Sequence, residues 1–203
     1  MHPNILTSEQ IKLLPLISKF KNEFCLVGGT ALALQLGHRR SIDFDLFSPN
    51  PFSNIKIKQR IMRTAKITKI HLDAEGELTL RIEGIKTTFF HYEYPIVHNI
   101  DFEQYISMPD PLTIAAMKAY AMGQRSKWKD YADIYFLLKQ YSLDQIIIHA
   151  ENLFGTGLLN SQLFKAQLAY HKDIDFREEI EWMPGFEVSK ELILSTLIDV
   201  ATA

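Results

Sequence analysis

Apolar residues near the start of the chain recur every three or four positions and then give way to short apolar runs. Residues 8–20 have this helical spacing, which predicts a leading amphipathic helix with Ser8 as its N-cap. Residues 24–27 predict a strand, which two glycines would end. A short helix through residue 36 is expected next, with Thr30 as its cap. The predicted order is therefore strand, glycine turn, helix.

The next predicted strand, residues 42–47, alternates strictly between apolar and other residues. Side chains of a strand point alternately to its two sides, so one face would carry the apolar residues Ile42, Phe44 and Leu46. Asp43 and Asp45 fall on the other face. Two carboxylates are therefore expected on one face of a half-buried strand.

The rest of the first half predicts a helix over residues 53–64 and an antiparallel meander over residues 67–72, 77–83 and 86–94. The aromatic residues of the last strand are expected in the core, namely Phe89, Phe90, Tyr92 and Tyr94. From Asp110, which would cap a helix starting at Pro111, the pattern is helical to the end. The expected helices cover residues 112–122, 127–141, 143–153, 158–170 and 189–201.

This pattern indicates an α+β protein with a mixed or antiparallel sheet, followed by a helical lobe. We expect a core at residues 1–109 and the lobe at residues 110–203, a division that suits a chain of 203 residues with 47% hydrophobic content. The formal net charge of −2 gives no overall positive field that would mark a nucleic-acid binder.

The only cysteine, Cys25, lies in an apolar run and is expected to be a small buried hydrophobic residue. Disulfides and cysteine-based zinc sites are thereby excluded. No apolar stretch reaches the roughly 20 residues that a bilayer span needs, and the N-terminus lacks the basic and apolar parts of a secretion signal. A cytoplasmic protein without a membrane partner is expected.

The candidate chemistry lies between the first two strands. Gly28 and Gly29 would let backbone amides approach a triphosphate closely, since a Cβ atom would block that approach, and the following helix start favours anions. Asp43 and Asp45 would supply carboxylates to a divalent cation that bridges phosphates and activates an attacking hydroxyl. The pattern therefore points to nucleotidyl transfer.

Each fragment of this pattern is weak when it stands alone. Ile-Asp-Phe occurs three times in the chain, beginning at Ile42, Ile100 and Ile174. A second Asp-x-Asp occurs at Asp173 and Asp175, and such a fragment is more often a solvated strand face or loop. The order and spacing of the whole segment 26–47 carry the functional argument.

That segment reads LVGGTALALQLGHRRSIDFDLF and closely resembles the signature of the polymerase-β-like nucleotidyltransferases, above all that of the AbiEii/AbiGii toxin branch. The resemblance implies Mg²⁺ or Mn²⁺ as cofactor and an NTP as substrate. It implies that Asp43 and Asp45 are catalytic metal ligands. The residues that would bind the nucleotide are Gly28, Gly29, Thr30, Arg40 and Ser41.

The resemblance extends more loosely into the helical half, over roughly residues 5–145 in all. Lys118, Arg125 and the stretch from Lys129 through Asp130 to Asp133 resemble the downstream pattern of the family. By that resemblance Lys118 would reach the triphosphate, and Asp130 would orient basic residues of the site such as Arg40 or Lys118. The alternative interpretation is that Lys118, Lys129 and Asp130 are simply exposed helix charges.

One feature departs from the superfamily pattern. Classical members carry a third carboxylate on a later strand, whereas the matching strand here offers Thr87 or Thr88. Glu93 follows further along and would need an unusual strand register to reach the site. A protein that binds a nucleotide without turning it over therefore stays open as an alternative.

The leading hypothesis is a metal-dependent transfer of a nucleoside monophosphate from an NTP to an acceptor hydroxyl. The resemblance suggests the tRNA 3′ end or a protein as acceptor, and a cognate antitoxin as partner of a toxin. The alternatives are a nucleotide-binding pseudoenzyme and a non-catalytic interaction module. If the acceptor is RNA, the candidate contacts are the basic residues of the helix over residues 53–64, namely Lys56, Lys58, Arg60 and Arg63.

Overall fold

The computed structural model describes residues 1–155 and 157–203. These residues form two compact units, Met1–Asp110 and Pro111–Ala203. The first unit contains a sheet with flanking helices and the second is helical, so the predicted α+β class is confirmed. Whether the two units are independent domains stays a prediction.

The first unit begins with the expected amphipathic helix, α1 (Ser8–Ile17), which a 3-10 turn extends over Ser18–Phe20. The sequence had indicated Ser8 as the N-cap, but the N-cap is Thr7. Thr7 accepts a hydrogen bond from the backbone N–H of Gln10, whose side chain accepts one from the Thr7 N–H in return. This reciprocal capping box satisfies two backbone donors that the start of a helix leaves open.

Within the described residues, the main sheet has five strands in the order β1-β2-β5-β4-β3. The β2–β5 pair is parallel, and the other neighbours are antiparallel. The strands are β1 (Cys25–Val27), β2 (Phe44–Ser48), β3 (Ile67–Ala74), β4 (Glu77–Ile82) and β5 (Ile85–His91). Helix α2 (Gly28–Leu36) connects β1 to β2, and α3 (Asn54–Met62), capped by Ser53, follows β2.

Strand β2 begins two residues later than predicted. Its ladder with β5 starts at Phe44, so Asp43 lies just before the strand. Ile42, which the alternation had placed on the buried face, is 53% exposed. The alternation of β2 itself is as predicted from Phe44 onward, where Phe44 and Leu46 are fully buried.

The two faces of the sheet have different surroundings. On the central strands β2, β4 and β5, one face is mostly apolar and buried, and the ring of Phe89 on β5 contacts Phe20 at a centroid distance of 5.0 Å. The guanidinium of Arg60 on α3 lies 4.3 Å from the centre of the Phe20 ring, so α3 packs on this apolar side. The other face carries Asp45, Thr88 and their neighbours in the strand register.

A small antiparallel hairpin was not predicted. It consists of β6 (Ile100–Phe102) and β7 (Ile106–Met108), and both strands are three residues long. Such short strands show less than two periods of alternation, so their pattern does not stand out in the sequence. The second Ile-Asp-Phe of the chain is β6.

The second unit consists of helices, with ends within a few residues of the predicted ones. They are α4 (Pro111–Met122), α5 (Trp128–Leu137), α6 (Leu143–Phe154), α7 (Ser161–Ala169) and α8 (Lys190–Thr202). Helix α7 starts later than predicted because Asn160 caps it, accepting a hydrogen bond from the Leu163 N–H. Among the described residues, no helix combines the length and apolar character needed to cross a membrane.

Candidate nucleotide and metal site

Gly28 stands at the junction of β1 and α2, with a φ of +71° in the left-handed region. A Cβ atom there would lie 2.6 Å from the Oδ2 atom of Asp45, well inside van der Waals contact. Both the backbone conformation and the closeness of the carboxylate therefore require glycine. The glycine turn is built around a carboxylate of the neighbouring strand.

Gly29 is required for a different reason. A Cβ atom on Gly29 would lie 2.6 Å from Nη2 of Arg39 and 3.1 Å from Oγ of Ser41. Arg39 is only 2% exposed, and its Nη1 donates to the carbonyl of Arg40 at 2.9 Å. The sequence had indicated that these glycines leave room for phosphates, whereas the structure shows that they also leave room for side chains of the protein.

Arg39 is the site residue that the sequence analysis missed. The predicted nucleotide ligand Arg40 is half-buried, and its Nη1 lies 3.4 Å from the carbonyl oxygen of Ile5. The signal for a basic residue was present in the sequence as two consecutive arginines. Which of them turns inward depends on the path of the loop between α2 and β2, and that path has no periodicity to read.

Thr30 does not cap helix α2, which begins two residues earlier at Gly28 with Val27 as N-cap. Its side chain is 1% exposed, and its hydroxyl donates to the carbonyl oxygen of Asp43. The Oγ of Ser41 lies 2.9 Å from the same hydroxyl. Thr30 thus ties the helix to the segment that presents the aspartates, and its hydroxyl is engaged within the protein.

Asp43 and Asp45 lie at the start of β2. Asp45 is half-buried beside Gly28, and Asp43 is 41% exposed with its Oδ2 3.9 Å from Nζ of Lys86 on β5. Carboxylate oxygens are the ligands that Mg²⁺ prefers, so this pair suits a hard divalent cation. Within the described residues, no group of three or more His, Cys, Asp or Glu side chains is arranged to hold a metal. The protein would therefore provide two carboxylates.

The strand register shows which threonine faces the carboxylates. Thr88 is the β5 partner of Asp45, and paired residues of neighbouring strands share a face. Thr87 pairs with Phe44 on the apolar side and is fully buried. Glu93 is exposed and lies beyond the end of β5 at His91. The position expected for a third carboxylate is therefore occupied by the hydroxyl of Thr88.

The basic residues proposed for RNA contact lie elsewhere. Lys58 forms an ion pair with Asp73, and Arg60 forms one with Glu23 at 2.6 Å. Helix α3 packs on the apolar side of the sheet, as the position of Arg60 over Phe20 shows, whereas Asp45 faces the other side. This basic helix is therefore not on the carboxylate side of the sheet.

The aromatic residues of the last sheet strand were expected to form core. Phe89 is fully buried, as predicted, but Phe90, Tyr92 and Tyr94 are only half-buried. The Phe90 ring lies 5.1 Å from that of Phe47, and both side chains point to the carboxylate side of the sheet by register. The prediction of core was therefore right for Phe89 and wrong for Phe90, Tyr92 and Tyr94.

The second Asp-x-Asp fragment has a structural role. Asp175 forms a bidentate pair with Arg177, with contacts of 2.9 Å and 2.7 Å, and its backbone bridges to that of Lys127. Asp173 accepts a hydrogen bond from the Ser126 hydroxyl at 3.1 Å. These two residues lie in a loop, so the fragment alone does not mark a metal site.

The candidate residues of the second unit form a buried ion cluster, which we define as Lys118, Arg125, Asp130 and Asp133. Nζ of Lys118 lies 2.7 Å from Asp130 Oδ1 and 2.7 Å from Asp133 Oδ2. The Lys118 side chain is 6% exposed, and the two aspartates are 5% and 0% exposed. The alternative interpretation as exposed helix charges was therefore wrong for Lys118 and Asp130.

Arg125 reaches the same cluster from a more exposed position, with Nε 3.1 Å from Asp130 Oδ2. Burial alone raises the pKa of Asp130, but the charges of Lys118 and Arg125 outweigh burial and hold the pKa below its ordinary value of 3.8. Asp130 is thus ionised at neutral pH and fixes the position of the Lys118 ammonium.

The fold is shared with solved structures that include a nucleotidyltransferase toxin. JHP933 from Helicobacter pylori superposes with a TM-score of 0.58 at 18% identity, over 97% of this chain and 92% of that one. MenT4, a nucleotidyltransferase toxin from Mycobacterium tuberculosis, superposes with a TM-score of 0.56 at 12% identity, over 95% and 82%. These likenesses show the fold of the chain, and MenT4 is a nucleotidyltransferase that has this fold.

The family follows from sequence. The profile of the family described as "Nucleotidyl transferase AbiEii toxin, Type IV TA system" matches residues 15–191, and the chain belongs to this family. It is also 35% identical over 174 residues to the uncharacterized protein aq_aa25 of Aquifex aeolicus (strain VF5), covering 84% of this chain and 77% of that protein. The resemblance seen in the segment 26–47 is thereby confirmed.

Proposed function

We propose that the protein transfers a nucleoside monophosphate from an NTP to an acceptor hydroxyl, with Mg²⁺ or Mn²⁺ held by Asp43 and Asp45. The observation that carries this proposal is the contact between Gly28 and the Asp45 carboxylate, which leaves no room for a Cβ atom. Gly28, whose φ lies in the left-handed region, is next to the Asp45 carboxylate, so the glycine turn and the aspartates of the segment 26–47 are close together in space.

The reaction requires one bond to form and one to break. The acceptor oxygen bonds to the α-phosphorus of the NTP, and the bond from that phosphorus to the bridging oxygen of the β-phosphate breaks. Pyrophosphate leaves with the electron pair, and the proton of the hydroxyl passes to solvent. A bound divalent cation supplies charge neutralisation of the phosphates and lowers the pKa of the attacking hydroxyl.

The residues around the glycine turn would bind and orient the triphosphate. The start of α2 has no side-chain cap, so its first backbone N–H groups and the helix dipole would favour a bound phosphate. Arg39 packs against Gly29 and would add positive charge beneath the turn. Thr30, through its bond to the Asp43 carbonyl, would keep the aspartates in register with the turn. Ser41 and Arg40 are proposed to border the nucleotide.

The ion cluster of the second unit would supply a further cation. By the family resemblance, Lys118 contacts the triphosphate. Asp130 and Asp133 then act as positioning residues, because each carboxylate lies 2.7 Å from Nζ of Lys118 and offsets the cost of burying its charge. This role stays a proposal for each of the three residues.

The acceptor and the partner are inferred from the family. We propose that the protein is the toxin of a toxin–antitoxin pair in the cytoplasm, that a cognate antitoxin binds it, and that the acceptor is the tRNA 3′ end or a protein hydroxyl. MenT4 is named a nucleotidyltransferase toxin, which supports the toxin role. Thr88 in place of a third carboxylate favours one second candidate, a protein that binds NTP without transfer.

The first test is calorimetric titration with each of the four NTPs in the presence of Mg²⁺. Wild type is expected to bind at least one NTP, and the variant Asp43→Asn/Asp45→Asn to lose that binding. Asp101→Asn is the matched control, because Asp101 is an exposed aspartate in the same Ile-Asp-Phe context on β6. Absence of NTP binding to wild type would leave only the interaction module.

The second test uses α-labelled NTPs with tRNA and with cell protein as separate acceptors. Label on tRNA supports the RNA acceptor, and label on protein supports the protein acceptor. Binding of NTP without label on either would support the pseudoenzyme. Loss of label in Asp43→Asn, with label retained in Asp101→Asn, assigns the transfer to the proposed site.

A further inference from the structure

Lys86 is a basic residue on the carboxylate side of the sheet that no step above uses. It lies on β5 two positions before Thr88, so the two side chains share a face. Thr88 is the register partner of Asp45. Nζ of Lys86 lies 3.9 Å from Oδ2 of Asp43. The lysine therefore stands beside one proposed metal ligand, on the strand expected to supply a third carboxylate.

The simplest interpretation of this contact is an exposed ion pair. The side chains of Lys86 and Asp43 are 38% and 41% exposed, and the distance is near the limit of direct pairing. Such a pair contributes about 0–1 kcal/mol to stability, so folding gives little reason for it. The same weakness makes the ammonium free to exchange Asp43 for another anion at small cost.

The charge balance of the site supplies a reason for this lysine. A site with three carboxylates can hold two divalent cations, one for the triphosphate and one for the attacking oxygen. Here the position opposite Asp45 carries the neutral Thr88, so a site with two carboxylates would hold fewer cations. The ammonium of Lys86 at that edge would replace part of the missing positive charge.

We propose that Lys86 is a catalytic residue that does the electrostatic work of a second divalent cation. In the free protein its ammonium pairs with Asp43. When a metal ion occupies the aspartates, the ammonium turns to the phosphate oxygens of the bound NTP and stabilises the charge that develops there during transfer. Lys86 keeps its three protons throughout and forms no covalent bond. This inference rests on the proposed function.

Two measurable consequences follow. Because the ammonium competes with a metal ion for Asp43, its removal should tighten metal binding in the absence of nucleotide, by about fivefold for a partly exposed pair. Because the same ammonium would stabilise the transition state, its removal should lower transfer by about 100-fold. A purely structural lysine would give neither effect, and a simple counter-ion would give only the first.

The test compares Lys86→Gln and Lys86→Arg with the matched control Lys69→Gln. Lys69 is an exposed lysine on β3. Its register partner on β4 is Arg81, which in turn pairs with Lys86 on β5, so Lys69 is on the same face of the sheet as Lys86. It lies two strands further from Asp43. Mn²⁺ affinity is measured by electron paramagnetic resonance without nucleotide. Transfer is measured as kcat/KM with labelled NTP, and unfolding midpoints check the fold.

The expected result is tighter Mn²⁺ binding and about 100-fold slower transfer for Lys86→Gln, with unfolding unchanged. Lys86→Arg should retain wild-type Mn²⁺ affinity and at least a tenth of the transfer, and Lys69→Gln should match wild type in both. Unchanged Mn²⁺ affinity or unchanged transfer in Lys86→Gln overturns the proposal, while the proposed function stands. Absence of Mn²⁺ binding to wild type overturns both.

Discussion

The aspartate pair of the first unit and the ion cluster of the second differ in how exposed their charged groups are and in how closely those groups are paired. Asp43 is 41% exposed and meets Lys86 only at 3.9 Å, whereas the Lys118 side chain is 6% exposed and contacts two carboxylates at 2.7 Å each. The first arrangement leaves carboxylate oxygens accessible to a cation. The second buries opposite charges against one another, and its four side chains carry no net formal charge.

This difference shows that similar sequence signals have different physical consequences. Exposed carboxylates cost little to fold and can be removed with little effect on stability. Buried charges depend on their partners, because a single buried carboxylate without its cation is strongly destabilising. Activity and stability should therefore respond separately in the two regions, and each prediction below tests that separation.

The largest effect is expected at the aspartate pair. Asp43→Asn should raise the activation barrier of transfer by several kcal/mol, because the metal loses a charged ligand. The rate of transfer by this variant should fall on the order of a thousandfold. Its unfolding free energy should stay within about 0.5 kcal/mol of wild type. Transfer of labelled NTP and urea unfolding measure the two quantities. A large loss of stability would show that Asp43 contributes to folding as a buried charge does, and would contradict the difference between the two regions.

The next effect concerns Lys118 and appears in stability. Lys118→Met leaves Asp130 and Asp133 buried without their shared cation, so unfolding should require about 3–5 kcal/mol less free energy. Lys172→Met, an exposed lysine in the same unit, should change stability by less than about 0.5 kcal/mol. Equal urea midpoints for the two variants would show that the cluster is not held together by this lysine.

A smaller effect is expected at Gly28, where the aspartate pair depends on the backbone. Gly28→Ala should cost about 1–3 kcal/mol, because its φ of +71° disfavours a side chain, and should also weaken NTP binding by displacing Asp45. Urea unfolding and calorimetric titration measure these effects.

Gly84→Ala is a matched control, since Gly84 has a φ of +88° and nothing within 4 Å of the position of a Cβ atom. It should share the backbone strain and leave NTP binding unchanged. If both variants bind NTP like wild type, the contact between Gly28 and Asp45 does not shape the site.

The sequence predicted the segment 26–47, which contains the aspartate pair, better than it predicted the buried ion cluster. The glycines of the segment 26–47 mark the end of β1 and the alternation marks the faces of β2, because both signals are local, although β2 begins two residues later than predicted. The burial of Lys118 depends on Asp130 and Asp133 lying three residues apart on α5 and on α4 packing against them, which is tertiary information. The inward turn of Arg39 depends in the same way on a loop path.

The smallest effect concerns the acid limb, that is, the fall in the free energy of unfolding at low pH. This fall should differ between a buried and an exposed carboxylate. The pKa of Asp130 lies below 3.8 in the folded protein, as does that of Asp175, which Arg177 lowers to about 2. A lowered pKa contributes stability that is present above the unfolded value and is lost as pH falls through the folded value. Both residues should therefore steepen the loss of stability as pH falls below about 4.

Salt distinguishes the two carboxylates. The exposed Asp175–Arg177 pair is screened in 1 M NaCl, where the Debye length is about 3 Å, whereas the buried Asp130 is screened much less. Urea unfolding at pH 3 and pH 6 should therefore show that Asp175→Asn flattens the acid limb in low salt only. Asp130→Asn should flatten it in both. If salt abolished the Asp130 effect as well, the ion cluster would be open to solvent, and the contrast with the aspartate pair would fail.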